Sequence, residues 1–239
     1  MRVSVLELPA RWGEPERALE EVDRLVAQAP TDLAILPEMA LAGYVSPGLN
    51  FDLTRFAEPL DGPTTRLAAR ICRRRSTHLV TPLVLSEEGR LYNAAVVITP
   101  DGGIAATYRK RHPWIPERWA TAGPSEPPLF DVGGLSATIA ICYDGHFLPR
   151  DGAAVLQKAD LLVFTSAWVD EEDSRVPLLR GIARQFGITV ANANWAPGVV
   201  SVPGQGGSCM IDPNGEVVAV VGSPGGGRVD HLVLPRSRR

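Results

Sequence analysis

The chain has 239 residues, of which 45% are hydrophobic and 21% charged, and its formal net charge is −3 at pH 7. This length is enough for one large domain, and we expect residues 1–239 to form a single domain because no change in composition marks a boundary. A net acidic chain argues against a nucleic-acid-binding surface, which is usually basic. The only basic tail, at residues 236, 238 and 239, is expected to be a solvated chain end.

Several other classes of protein are excluded by simple counts. No apolar run approaches the 18 residues of a membrane span, and residues 1–9 lack the apolar core of a secretory signal. Three cysteines are too few for a disulfide framework, and the four histidines contain no i, i+4 pair of the zinc-binding type. We therefore expect a cytoplasmic protein with no metal and no cofactor, whose partners do not include nucleic acid or membrane.

Apolar periodicity predicts a strand, a helix and a second strand at the start of the chain. The strands are residues 3–8 and 33–36, and the helix between them covers 14–29, where apolar residues recur at steps of one, three and four. Such a unit implies a parallel pair of strands. A second helix is predicted over 63–75.

The middle of the chain has the character of an antiparallel meander. Three β-rich runs at 79–85, 91–98 and 104–108 are separated by turns that contain glycine. Residues 109–128 contain five prolines, and we interpret them as a long ordered loop with a functional role.

The second half of the chain repeats the alternation of strands and helices. Mixed parallel and antiparallel strands with amphipathic helices predict an α/β protein with two mixed sheets packed face to face and helices outside. The predicted strands are 135–141, 161–164, 188–191, 208–211, 216–221 and 229–234, and the predicted helices are 151–159 and 176–186.

Three reactive side chains each follow a predicted strand. Cys142 lies on a turn after the run 137–141, where a nucleophile would be presented to substrate, although a buried structural cysteine is the alternative. Cys72 and Cys209 have no such placement and are expected in the core. Glu38 follows the apolar run 33–37, where low polarity would favour a general base, and a glutamate at a helix start is the alternative.

Lys110 belongs to a basic cluster that by itself would be a solvated group. Taken together, however, a thiol, a carboxylate and an ammonium supply the nucleophile, the base and the oxyanion-stabilising cation that acyl transfer needs. The segments Leu36-Pro37-Glu38, Tyr108-Arg109-Lys110 and Ile141-Cys142-Tyr143-Asp144 resemble the Glu-Lys-Cys triad of the nitrilase superfamily of carbon–nitrogen hydrolases. The resemblance continues through 92–97, 100–102, 159–161, 165–168, 190–194, 207–208 and 211–215.

The resemblance implies a four-layer α-β-β-α sandwich and a mechanism. Glu38 would deprotonate Cys142, and the thiolate would attack an amide carbonyl, while Lys110 and the Tyr143 N–H hold the oxyanion. Glu117 matches a second family glutamate near the lysine, with Glu126 as a weaker candidate. The family also implies a homodimer or higher homo-oligomer, for which helix 176–186 is a candidate surface.

The branch of the family and the substrate are less sharply defined. Tyr143-Asp144 is similar to amidases and carbamoyl hydrolases, whereas true nitrilases usually have Trp-Glu after the nucleophile. A nitrilase, an acyltransferase using the same thioester and a catalytically silent binding protein remain open. Arg150 and Gln185 replace glutamates usual in the family, at positions expected to support or line the pocket. Candidate pocket residues are Tyr44, Trp114, Trp168 and Asn194, with Trp119 and Trp195 as further aromatic candidates and an aromatic core as the alternative.

Overall fold

Two mixed sheets, each of six strands, form the centre of the structure. The computed structural model describes residues 1–170, 172–223 and 225–235, so the basic tail at 236, 238 and 239 lies outside the described residues. In the described part of the chain, no helix has both the length and the apolar character that a membrane crossing requires.

The first sheet has the strand order β12-β1-β2-β3-β4-β5. Strands β1, β2 and β3 run parallel, and the remaining pairs are antiparallel. Helices α1 (Pro15–Val26) and α2 (Pro63–Arg75) cover its outer face. The strands are β1 (Arg2–Glu7), β2 (Leu33–Ile35), β3 (His78–Glu87), β4 (Arg90–Ile98), β5 (Ile104–Arg109) and β12 (Gly227–Leu232).

The second sheet repeats this plan with the order β11-β10-β9-β8-β7-β6. Its central strands β7, β8 and β9 are parallel, and the other pairs are antiparallel. Helix α5 (Arg175–Phe186) packs on it, and the short helices α3 (Leu148–Asp151) and α4 (Ala153–Leu156) follow β7. The strands are β6 (Leu129–Val132), β7 (Leu135–Ile141), β8 (Leu161–Thr165), β9 (Thr189–Ala193), β10 (Cys209–Ile211) and β11 (Val217–Val220).

Alternation of side chains along the strands builds the layers. Val3 and Val5 of β1 lie in the core between the sheets, whereas Leu6 belongs to the cluster under α1 and α2. Successive residues of a strand point to opposite faces, so a strand covered on both sides is apolar throughout. This arrangement confirms the predicted α-β-β-α sandwich.

The structure differs from the prediction at two elements. Residues 151–159 form no continuous helix, because Gly152 separates α3 from α4 and its φ of −115° lies outside the helical range. Strand β6 was not predicted, although Gly133-Gly134 supplies the signal: both glycines have positive φ, which suits a two-residue hairpin turn into β7.

Candidate active site

Four polar side chains from separate segments meet where strands of both sheets end. Glu38 follows β2, Lys110 follows β5, Cys142 follows β7, and Glu117 lies in the long loop after β5. The Lys110 ammonium donates hydrogen bonds of 2.7 Å to Oε1 of Glu38 and 2.7 Å to Oε1 of Glu117. Lys110 has no exposed surface, so this cation is neutralised entirely by protein groups.

The loop that carries Glu117 is held against the sheet by its own backbone. The Lys110 N–H donates to the Asn93 carbonyl at 2.8 Å, and the Lys110 carbonyl accepts from Gly123 at 2.8 Å. Tyr44 donates its hydroxyl proton to Oε1 of Glu117 at 2.8 Å. The loop 110–128 is therefore ordered around the buried lysine, as the sequence predicted for a functional loop.

Glu38 is fixed through both carboxylate oxygens. Oε1 accepts the Asn93 side-chain N–H at 2.7 Å in addition to the lysine, and Oε2 accepts the backbone N–H of Ala167 at 2.9 Å. Ala167 lies just after β8, in the second sheet. The carboxylate is thus oriented by groups from both sheets.

Cys142 begins a 3-10 turn, Cys142–His146, with a φ of 47°. A non-glycine residue in this left-handed region is strained, and such strain is concentrated at functional sites. The Asp144 carboxylate stabilises the turn, since it accepts the Tyr108 hydroxyl at 2.8 Å and the Ile141 N–H at 3.2 Å. Its other oxygen accepts the His112 backbone N–H at 2.9 Å.

The electrostatics of the cluster favour an uncharged thiol. Burial raises the pKa of Cys142 well above its ordinary value, and repulsion by Glu38 adds to this, while Lys110 opposes it. Burial alone would lower the pKa of Lys110, but Glu38 and Glu117 outweigh that effect and raise it. Burial also raises the pKa of Glu117, with Lys110 opposing. A thiolate at Cys142 would therefore lie beside two carboxyl groups that share one ammonium group.

A cavity of about 160 Å³ opens beside the Cys142 sulfur. Its aromatic walls are Tyr44, Trp114, Tyr143, His146 and Trp168, and Tyr44 and Trp114 stack with ring centroids 6.4 Å apart. An engineered protein cavity of about 150 Å³ holds benzene, so this space suits roughly six non-hydrogen atoms.

The structure brings together most of the predicted site residues. Glu38, Lys110, Glu117 and Cys142 form the buried cluster, and Tyr44, Trp114, Tyr143 and Trp168 line the cavity. Asn194 is fully buried and does not line the cavity. Its side-chain oxygen accepts the Trp168 N–H at 3.0 Å, and its amide donates to the Gly204 and Gly206 carbonyls, so it supports the wall from behind.

Other predictions about pocket residues are not met. Trp119 and Trp195 lie outside the cavity lining, and Trp195 packs against Tyr44 at 5.7 Å. Neither Arg150 nor Gln185 lines the cavity. The Arg150 side chain is 77% exposed and pairs with Asp151. Gln185 is exposed because it lies on the outer face of α5.

Burial distinguishes the remaining candidate glutamates and cysteines. Glu126 is exposed, whereas Glu117 is buried beside Lys110. Cys72 and Cys209 lie in the core, as predicted, and burial raises their pKa values to about 12 and about 11. Among the described residues, no cluster of three or more His, Cys, Asp and Glu side chains has the arrangement of a metal site.

Sequence reasoning did not identify three residues that surround the site. Asn93 and Asp144 appeared only inside segments that resemble the family, and Asp170, which lines the cavity, was not considered. A signal for Asn93 was present: an amide between apolar residues of a buried strand needs a hydrogen-bonding partner.

The chain is similar to known proteins in both sequence and structure. The model of the carbon-nitrogen hydrolase family matches residues 2–225. An (R)-stereoselective amidase of a Pseudomonas species is 29% identical over 228 residues, which are 93% of this chain and 81% of the amidase. A formamidase of Bacillus cereus strain G9842 is 30% identical over 143 residues, or 57% of this chain and 42% of the formamidase.

A solved structure of a nitrilase-superfamily amidase from Nesterenkonia AN1, in mutant form, superposes with a TM-score of 0.85 at 26% identity. The match covers 98% of this chain and 90% of that amidase. The chain therefore belongs to the carbon-nitrogen hydrolase family. Its similarity to these proteins also confirms the predicted amidase-type branch of the nitrilase superfamily.

The buried cluster predicts that Cys142 is a thiol, not a thiolate, in the free protein at neutral pH. A raised pKa means that the proton is retained until the pH exceeds the ordinary range of a cysteine. The ultraviolet absorbance of the thiolate, measured against pH for the native protein minus Cys142→Ala, should therefore show no step below pH 8. A step in the acidic range would show that Lys110 outweighs burial and repulsion.

Proposed function

We propose that this protein is an amidase that hydrolyses the C–N bond of small linear amides or carbamoyl groups through a thioester on Cys142, releasing ammonia or an amine. The observation that carries the proposal is the placement of Cys142 in a small cavity beside a buried Glu38–Lys110 pair. In the described part of the chain no histidine is hydrogen-bonded to the Cys142 thiol, so the thiol needs another base, and Glu38 supplies one that is fixed by three hydrogen-bond donors.

The first half of the reaction forms the thioester. Glu38 accepts the proton of the Cys142 thiol as the sulfur attacks the amide carbonyl carbon. The carbonyl oxygen becomes an oxyanion, which the Lys110 ammonium and the Tyr143 N–H stabilise. Glu38 then gives its proton to the amide nitrogen, the C–N bond breaks, and ammonia or an amine leaves.

The second half regenerates the thiol. Glu38 accepts a proton from water, and the resulting hydroxide attacks the thioester carbonyl. The carbon–sulfur bond breaks, the acid leaves, and the sulfur recovers the proton from Glu38. Lys110 stays charged throughout because Glu117 and Glu38 raise its pKa, so it acts as a fixed cation and not as an acid.

The size of the cavity supports short acyl groups. Structures of the Nesterenkonia amidase in mutant form include complexes with acrylamide and with butyramide. Both are small amides, and butyramide has about the six non-hydrogen atoms that a cavity of this volume accommodates. We therefore assign short aliphatic amides to this site.

Ammonia release from a panel of compounds tests the activity. We expect release from acetamide and butyramide and much less from butyronitrile, and Cys142→Ala should remove it entirely. Cys209→Ala is the matched control, since it deletes another buried thiol and should keep most of the activity. Preferred release from the nitrile would identify a nitrilase instead. Activity in Cys142→Ala together with loss in Cys209→Ala would contradict the assignment of the nucleophile.

The hydrogen bond from Asn93 to Glu38 should matter for rate more than for binding. Losing a buried hydrogen bond to a charged group costs about 1.5–3 kcal/mol, so Asn93→Ala should lower kcat by roughly 10- to 100-fold with little change in KM. Asn192→Ala removes another fully buried asparagine, whose side chain contacts Arg175 and Ser166. Equal losses of kcat in both variants would show a general effect on folding and not on the base.

We also propose a cytoplasmic homodimer that pairs through α5. Leu179, Ile182 and Ala183 are buried in the core, and Val176 and Leu178 pack against the same core but keep part of their surface exposed. Light scattering should give twice the monomer mass of 25.7 kDa. Val176→Arg should reduce it to the monomer, and Gln185→Arg, an exposed position on α5, should not. A monomer mass at all concentrations would refute the dimer.

A further inference from the structure

The cavity beside Cys142 has an asymmetric charge. Among the described residues that line it, Asp170 is the only carboxylate, and none is a lysine or arginine. Deeper in the site, Glu38 and Glu117 share a single cation, Lys110. A substrate that enters the cavity therefore meets the Asp170 carboxylate on a wall that carries no lysine or arginine among its described residues.

The Asp170 carboxylate is held in a defined orientation. One oxygen accepts the Ser174 hydroxyl and, at 3.0 Å, the Ser174 N–H, and the other accepts the Glu172 N–H at 3.2 Å. These hydrogen bonds, led by the Ser174 hydroxyl, hold the pKa of Asp170 at about 2, so it is ionised at neutral pH. Nearby Asp173 pairs with Arg175, whereas no cation pairs with Asp170 in the described part of the chain.

The position of this wall is fixed by close backbone packing. Gly204 has a φ of 83°, and a Cβ there would approach the Asp170 nitrogen to 2.6 Å. Asn194 holds the Trp168 N–H from the same side. These contacts fix the position of segment 168–170 against the second sheet, and Asp170 is part of the cavity wall that this segment forms.

The aromatic walls of the cavity also suit a ligand that carries a positive charge. The faces of tryptophan and tyrosine attract cations, and Trp114 and Trp168 both line the cavity with Asp170. A carboxylate in the substrate would instead be desolvated next to Asp170, with no lysine or arginine in the described lining to pair with, which is unfavourable.

We propose that the cavity selects amides whose acyl group carries a positively charged amino group, and that Asp170 is the residue that determines this selectivity. Amides that carry a carboxylate, which include N-carbamoyl amino acids, are disfavoured for the same reason. This inference rests on the proposed amidase activity and names the substrate class within it.

Substrates of matched size test the proposal at neutral pH. The probes are 3-aminopropanamide, which is cationic, and butyramide, which has the same number of non-hydrogen atoms and no charge. The native protein should have the higher kcat/KM for 3-aminopropanamide, and Asp170→Asn should lower the ratio of the two kcat/KM values by roughly fivefold or more, as expected for one partly screened charge pair. Glu172→Gln removes an exposed charge outside the cavity lining and should leave the ratio unchanged.

The anionic amide malonamate gives the opposite test. It should be a poorer substrate than pentanamide, and Asp170→Asn should narrow that difference. Hydrolysis of butyramide with no preference for 3-aminopropanamide, or an unchanged ratio in folded Asp170→Asn, would overturn the selectivity while leaving the amidase activity intact. Failure of the native protein to release ammonia from any of these amides would instead overturn the proposed function.

Discussion

The ammonium group of Lys110, buried without any exposed surface, is the constraint on which the site depends. A cation in the interior is tolerated only when it is paired and hydrogen-bonded, and removing one partner of such a pair costs about 3–5 kcal/mol. Two carboxylates at 2.7 Å meet this requirement, and each comes from a different segment of the chain. The turn after β2 and the loop 110–128 must therefore both be in place before the lysine can be buried. Burial, together with repulsion by Glu38, raises the pKa of the Cys142 thiol, so the proposed chemistry includes transfer of its proton to Glu38.

The sandwich explains why these groups can be held so closely. Glu38 follows β2 of the first sheet, but the Ala167 N–H just after β8 binds its second oxygen, so the packing of the two sheets sets the orientation of this carboxylate. A second buried contact, between the Ser208 N–H and the Glu7 carboxylate at 2.8 Å, joins the two sheets near the end of β1. Burial raises the pKa of Glu7, opposed by its hydrogen bonds to Ser208. Polar contacts between the sheets are thus paired, and the aligned strand ends form a rigid frame for the turn at Cys142.

Much of the fold could be predicted from local patterns, because apolar periodicity reflects which face of an element is buried. Strand β7 and helix α2 have the predicted bounds. Glu38, Lys110 and Cys142 were found as reactive residue types that follow strands, and Glu117 through resemblance to a family. Asp170 was not found, since a carboxylate in an acidic loop carries no local sign that it faces a cavity. Gln185 does not line the cavity, because tertiary packing decides which face of α5 is turned toward the core.

The most direct test of the thioester mechanism is the partition of products when hydroxylamine competes with water. If the acyl group is held on Cys142, water and hydroxylamine compete for the same thioester after the amine has left. The ratio of their products then cannot depend on which amine left. Butyramide and N-methylbutyramide should then give the same ratio of butyric acid to butyrohydroxamic acid at a given hydroxylamine concentration, even if their rates of hydrolysis differ. A ratio that depends on the leaving group would mean that the nucleophiles attack the amide directly, and would contradict a common thioester.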